Sequence, residues 1–340
     1  MSEIKVNNIQ GLSGTHGPVI SGTTEMNSTG AMSLPRGDTT YRGGRGRGVF
    51  YGGNTGSLSN VVDFVTIATL GNAVDFGDAL DGDPLKGSCA SAIKGFFTGG
   101  YFSTSNNIDY ITISSTGNGF DFGDCTVSTG RRTGFNSPTR GVFCAGGIDP
   151  ATDFDTIEYF TMASTGNTSD FGNLTLARNR TGGSSSPTRG LCYGGLISGA
   201  GQIGTSTIDY VTIATTGDAQ DFGDLTVVST GSGGFATGNS TRGLYATKFV
   251  APINYNNIEY ITYASKGDTI DFGDTVETGR YGGGNSNATR ATLATGMNPG
   301  NTNNICYVEI STLGDATDFG DLTVARNGFG TASDTNGGLG

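Results

Sequence analysis

An all-β chain closed into a six-bladed propeller of four-stranded blades is the fold this sequence predicts, and three observations predict it. The tetrapeptide Asp-Phe-Gly-Asp, once with a final Asn, recurs six times, with its phenylalanines at Phe76, Phe122, Phe171, Phe222, Phe272 and Phe319. Five intervals separate the first from the last, a period of about 49 residues that belongs to propellers, solenoids and arrays. Glycine supplies 60 of 340 residues and charged residues only 14%, while Thr, Ser, Asn, Ile, Val, Tyr and Phe fill most of the rest. That composition suits short strands joined by many turns.

The third repeat shows the elements in order. Arg140-Gly141-Val142-Phe143-Cys144-Ala145-Gly146-Gly147 is a short apolar strand ended by glycines. After a loop comes Ile157-Glu158-Tyr159-Phe160-Thr161-Met162, with counterparts beginning at Val62, Ile108, Ile208, Ile258 and Ile305. Its alternation predicts a strand buried on both faces apart from its acidic end. A Gly turn with Asn or Asp, such as Gly166-Asn167, leads into the Asp-Phe-Gly strand, and a Gly/Ser/Thr-rich stretch, Gly182 to Ser186, leads to the next repeat. Four short strands per period are the content of a propeller blade.

The ends predict closure. The first repeat opens at Arg47-Gly48-Val49-Phe50 with no strand before it, whereas the last continues beyond its Asp-Phe-Gly strand through Asn327 to Gly337. Residues 327–335 are therefore expected to supply the innermost strand of the first blade and remove the open edge. The domain organisation expected is an N-terminal attachment segment, residues 1–45, of β or irregular structure, followed by the propeller over residues 46–340.

The Gly-Gly pairs Gly52-Gly53, Gly99-Gly100, Gly146-Gly147 and Gly194-Gly195, each followed by a Tyr- or Phe-containing strand and an aromatic about twenty residues on, resemble the kelch repeat. The chain departs from that pattern in having no Trp, in placing Phe where kelch repeats have Trp, and in carrying Ala246-Thr247 and Thr295-Gly296 in place of two Gly-Gly pairs. The resemblance implies a kelch-like propeller.

A formal net charge of −11 opposes association with nucleic acid and anionic membranes. No apolar run is long enough to span a bilayer, and the N-terminus lacks a secretory signal pattern. Five scattered cysteines, Cys89, Cys125, Cys144, Cys192 and Cys306, form no Cys-x-x-Cys pair and fit buried packing in a reducing cytoplasm. The one histidine, His16, lies outside the propeller, which removes Ser-His-Asp catalysis and multi-histidine metal sites from it.

Residues that repeat are read as architecture. The six motif phenylalanines are expected to be core plugs between blades, each contributing about 1.5–3 kcal/mol by burial. The basic series Arg47, Lys94, Arg140, Arg189, Arg242 and Arg290 and the acidic series Asp63, Asp109, Glu158, Asp209 and Glu259 suggest polar bonding between strands or blades. The motif aspartates, with Asp218, Asp268 and Asp315, have the oxygen chemistry of calcium ligands. Their spacing fits no EF-hand loop, and Asp beside a tight turn caps backbone, so no cofactor or metal is expected.

Residues that do not repeat are where function is sought. The loops after the Gly-Gly strands hold Tyr101, Phe102, Phe154, Phe249 and Tyr255; those after the fourth strands hold Arg131, Arg132, Arg178, Arg180, Arg280 and Tyr281. Propeller topology puts both loop sets on one face, where aromatics and arginines suit contact with protein or glycan.

The N-terminal stretches Ser2 to Ile9, Gly14-Thr15-His16-Gly17-Pro18-Val19-Ile20-Ser21-Gly22 and Met32 to Thr40, followed by Ile-Asp-Tyr and Asp-Phe-Gly repeats, resemble virion structural proteins of marine bacteriophages, especially cyanophages. The resemblance implies a non-enzymatic virion component, a tail fibre, adhesin or particle-surface protein. Residues 1–45 would contact other virion proteins, the loop face would contact a host glycan or receptor, and self-association is compatible with both. The alternatives are a carboxylate-dependent glycan-degrading enzyme and a cellular kelch-like interaction scaffold.

Overall fold

The computed structural model describes residues 46–335 except 103, 149–151, 200–201, 230–234 and 251. The expected attachment segment, residues 1–45 with His16, and its boundary with the propeller lie outside the described residues. Six antiparallel sheets each contribute four strands to a blade. The inner strands of blades 1 to 6 are Gly330–Ser333, Gly87–Ala90, Thr133–Asn136, Gly182–Ser185, Phe235–Gly238 and Gly283–Ser286. The second strands are Arg47–Tyr51, Lys94–Thr98, Arg140–Cys144, Arg189–Tyr193, Arg242–Val250 and Arg290–Ala294. The third are Val61–Thr66, Asn107–Thr112, Thr156–Thr161, Ile203–Thr212, Ile253–Thr262 and Asn304–Glu309. The outer are Val74–Asp78, Phe120–Asp124, Ser169–Asn173, Gln220–Ser229, Ile270–Asp274 and Thr317–Asp321.

The C-terminal strand closes the ring as expected. It pairs with the first strand of the propeller in the register Gly48↔Ser333, Val49↔Ala332, Phe50↔Thr331 and Tyr51↔Gly330. Arg47 N donates to Asp334 Oδ1 at 2.7 Å and Asp334 N donates to Arg47 O at 3.2 Å, so the join is clasped at its end.

The apolar core lies in six wedges, one at each junction between blades. Phe171 of blade 3 packs with Val211 and Ile213 of blade 4, and Phe319 of blade 6 packs with Val65 and Ile67 of blade 1. All six motif phenylalanines are buried. Each also meets the aromatic of its own third strand edge to face, as Phe222 meets Tyr210 at 5.9 Å and 73°.

The rest of the motif fastens neighbouring blades. Gly117 N of blade 2 donates to Phe76 O of blade 1 at 2.8 Å, and Asn118 Oδ1 accepts from Asp78 N at 3.0 Å. Asn167, Asp218, Asp268, Asp315 and Asn72 repeat that cap at the other five junctions. Asp218, Asp268 and Asp315, weighed with the motif aspartates as calcium ligands, thus each spend an oxygen on a backbone amide. Glycine is required in the motif because Gly77 has φ 146°, and a Cβ there would stand 2.5 Å from Gly117 O.

The basic series works at the same junctions. Arg140 lies 4.4 Å above the Tyr159 ring of its own blade and donates from Nη1 to Ile213 O of the next at 2.7 Å. Arg47, Arg242 and Arg290 do likewise towards Ile113, Ile310 and Ile67, the last across the closure, and Arg189 donates to Tyr263 O.

Blade 5 departs from the others where its Gly-Gly pair is missing. With Ala246-Thr247 there, the second strand continues to Val250 through a register shift between Ala246 and Lys248 and makes a long hairpin with Ile253–Thr262.

Candidate functional site

Antiparallel alternation sorts the connections. Turns between inner and second strands, and between third and outer strands, share one end of the barrel of blades. Loops between second and third strands share the other end with the linkers that run from each outer strand to the next inner strand. The expectation that the variable loops and the linkers occupy one face therefore holds for the propeller.

The acidic series does not reach solvent, which corrects the expected exposed acidic end of the third strand. Asp63, Asp109, Glu158, Asp209 and Glu259 are all buried, because each is met by a cation. Arg326 Nη1 donates to Asp63 at 2.7 Å, Lys86 Nζ to Asp109 at 3.4 Å and Arg178 Nη1 to Asp209 at 2.9 Å, while Arg132 pairs with Glu158 and Lys248 with Glu259. Threonines four residues after the motif phenylalanine complete the shells: Thr175 Oγ1 donates to Asp209 at 2.6 Å and Thr323 Oγ1 to Asp63 at 2.6 Å, and Thr126 and Thr226 do the same for Glu158 and Glu259. In blade 2, where Leu80 stands at the threonine position, Tyr51 bridges instead, accepting from Leu80 N at 2.9 Å and donating to Asp109 at 3.2 Å.

Arg132 and Arg178 are consequently withdrawn from the loop face. The Arg178 guanidinium is fully buried, donating also to Gly194 O at 2.7 Å, Leu176 O at 3.1 Å and Cys192 O at 3.3 Å. Three of the pairs differ electrostatically. Burial pushes the Glu158 carboxyl up, yet Arg132 and the Thr126 donors together hold it below its ordinary 4.5. Burial pushes Asp109 above its ordinary value, and the single ammonium of Lys86 does not pull it back. Burial likewise holds Lys248 below its ordinary value despite Glu259.

The remaining expected residues form two clusters on the loop face and two separate positions. In the first cluster Tyr101 and Phe102 follow Gly99-Gly100, and the Tyr101 ring has Arg131 at 4.5 Å and Arg180 at 5.7 Å from its centroid. The two arginines come from consecutive linkers. In the second, Arg280 lies 4.6 Å from the Phe249 ring and 5.6 Å from that of Tyr281. Phe154 is half-buried at the end of its loop, just before Thr156–Thr161, where its N donates back to Gly146 O at 2.9 Å. Tyr255 is half-buried on the blade 5 hairpin opposite Lys248.

Between the clusters lies the central channel, a cavity of about 180 Å³ walled by the six inner strands. Leu85, Arg131, Arg180 and Tyr281 stand at its mouth. These four share a repeat position, nine residues after the motif phenylalanine, and each has φ between 55° and 62°.

One residue that orders this face was missed from sequence. Asp83, in the linker into blade 2, accepts from Tyr101 N and Phe102 N at 2.9 Å each and so fixes the aromatic pair. Asp153 does similar work at blade 4, accepting from Ser198 N at 2.6 Å and Asn179 Nδ2 at 2.5 Å. Their signal was available: both are acids outside the repeat pattern. Among the described residues no three His, Cys, Asp or Glu side chains converge as metal ligands. Neither a protein-family model nor any curated protein matches the chain.

Proposed function

We propose that the chain is a non-enzymatic structural and binding component of a bacteriophage particle, a kelch-like propeller whose loop face contacts a host-surface glycan or another virion protein. The observation that carries the reading is the pairing of aromatic and arginine side chains around the channel mouth, on the face with the variable loops. The buried acidic series favours a non-enzymatic role because an ion pair already occupies each of its carboxylates.

The phage assignment rests on the resemblance of residues 2–40 to virion structural proteins. Immunogold labelling of purified particles should place the protein on the virion, and purified chain should bind host cell surfaces without degrading their polysaccharide. Absence from particles, or release of reducing sugars from host polysaccharide, would overturn the reading.

A further inference from the structure

The junction between blades 5 and 6 differs from two of its sisters in what its linker does. Eight residues after the motif phenylalanine, a linker side chain reaches back to the loop of the blade it has just left: Asn179 Nδ2 donates to Asp153 Oδ1 and Asn327 Nδ2 to Asn301 Oδ1, at 2.5 Å each. The equivalent residues between blades 5 and 6 are Arg280 and Asn254. They do not close on each other: Arg280 Nε and Asn254 Oδ1 are both buried, and among the described residues neither has a hydrogen-bond partner.

Phe249 connects the two. It pairs with Asn254 across the blade 5 hairpin, so their side chains share a face, and its ring carries the Arg280 guanidinium at 4.6 Å. Tyr281 holds the same guanidinium at 5.6 Å and stands at the channel mouth. Among the described residues the Tyr281 hydroxyl and the Nη atoms of Arg280 also make no hydrogen bond, and Arg280 has no carboxylate partner, unlike Arg132, Arg178 and Arg326. A cation, an amide and a hydroxyl thus surround two aromatic rings without serving the fold, which loses stability by leaving buried polar atoms unpaired.

We propose that Arg280, Asn254, Phe249 and Tyr281 bind a saccharide of the uronic-acid class, a pyranose ring bearing a carboxylate. The forked Nη atoms of Arg280 match the two oxygens of a planar carboxylate. The Asn254 amide and the Tyr281 hydroxyl meet ring hydroxyls, and the aromatic faces take the C–H face of the sugar. An acidic side chain of a protein would use the fork alone and leave the amide and the hydroxyl unmet, which favours the sugar. This assignment rests on the reading of the loop face as the binding face and adds its ligand class.

Calorimetric titration of the full chain with three probes tests it: an oligogalacturonate, its methyl ester of equal length, and a glutamate-rich peptide of equal charge. The acid should bind at least about tenfold more tightly than the ester, and the preference should shrink in high salt. Arg280→Ala should erase that preference, and Arg280→Lys should restore only part of it, because it keeps the charge and loses the fork. Asn254→Ala should weaken acid and ester alike, since the amide meets hydroxyls that both carry. Asn254→Asp, nearly isosteric, gives Arg280 the acid that Asn179 finds in Asp153, so it should abolish binding of the acid without lowering the melting temperature. Absence of oligogalacturonate binding, equal binding of acid and ester, indifference to both Arg280→Ala and Asn254→Asp, or preference for the peptide overturns the proposal. Host-cell binding that survives Arg280→Ala but is lost in Phe102→Ala would sink this site while leaving the loop face as the binding face.

Discussion

Blades 4 and 6 build the same junction in opposite ways. In blade 4 the third strand carries Asp209 and the linker carries Thr175 and Arg178; the acid and guanidinium pair out of contact with water, and the exposed threonine hydroxyl donates to the acid. In blade 6 the same positions are Cys306, Val276 and Gly279, and the buried Cys306 thiol donates to Leu293 O at 3.4 Å. Acid, threonine and cation are lost together. A buried charge without its partner is far costlier than no charge at all, so acid and cation behave as one unit that a blade has or lacks. The ion pairs therefore specify how a linker seats on its blade more than they add net stability.

The largest test concerns the one pair that also joins the two ends of the propeller. Arg326 and Thr323 reach Asp63 from the segment that goes on to form the closure strand. Deleting residues 327–340 leaves that pair but removes the strand, and calorimetry should show the melting temperature falling by about 10 °C or more, or no cooperative transition. An unchanged melting temperature would mean that the ion pair alone can close the ring.

Next in size is Arg178→Ala, which strands Asp209 and should cost about 3–5 kcal/mol in urea unfolding. The blade 6 set placed in blade 4, Asp209→Cys with Thr175→Val and Arg178→Gly, should recover more than half of that loss. If the triple variant is as unstable as the single one, the three residues are not interchangeable as a unit.

A smaller effect separates the arginine and lysine blades. Because the Glu158 carboxyl is held below its ordinary 4.5, its contribution is present above that value and is lost as pH falls through the lower folded value. Asp109 has the reverse sign: raised above its ordinary 3.8, it favours folding below that value, and this contribution disappears as pH rises through the folded value. Glu158→Gln should therefore be most destabilising near neutral pH and approach wild type in acid, and Asp109→Asn should cost less than Glu158→Gln at pH 7. Urea midpoints across pH 3–7 check both; a larger neutral-pH cost for Asp109→Asn would reverse the distinction.

The smallest expected effect is Lys86→Met, which leaves Asp109 with Tyr51 and Asn107 as hydrogen-bond partners. It should cost about 1–3 kcal/mol, less than Arg178→Ala, in the same urea assay.

Blade number, strand order and closure were legible in the sequence because they depend on residues in fixed columns of the repeat: Phe76 and its five counterparts, the glycine after each, and the surplus stretch after Asn327. The ion pairs were half legible. The acids share one column, but their cations do not: Arg178 and Arg326 stand seven residues after the motif phenylalanine, Lys86 and Arg132 ten, and Lys248 on the extended strand of its own blade. Side-chain length lets several backbone positions reach one carboxylate, so no column records the partner. The same freedom misassigned Arg132 and Arg178 to the loop face, since adjacent or alternate linker residues, Arg131 and Arg180, reach it while they do not. Asp83 stands out in the sequence as an acid outside the repeat pattern, but its partners, the amides of Tyr101 and Phe102, depend on the linker into blade 2 lying against that blade's own loop.

The clasp between Arg47 and Asp334 fixes how the molecule carries load. Tension applied between the chain entering at residue 46 and a ligand held by the loops runs along the axis of Arg47–Tyr51, which lies between the closure strand and Val61–Thr66. The ladder bonds on both sides are then loaded in parallel, as in a lap joint, and must yield together. Tension applied between residue 46 and residue 335 meets the same strands at one end and opens them a bond at a time, like a zip. The propeller is thus built to resist pulling from its loops more strongly than separation of its own ends.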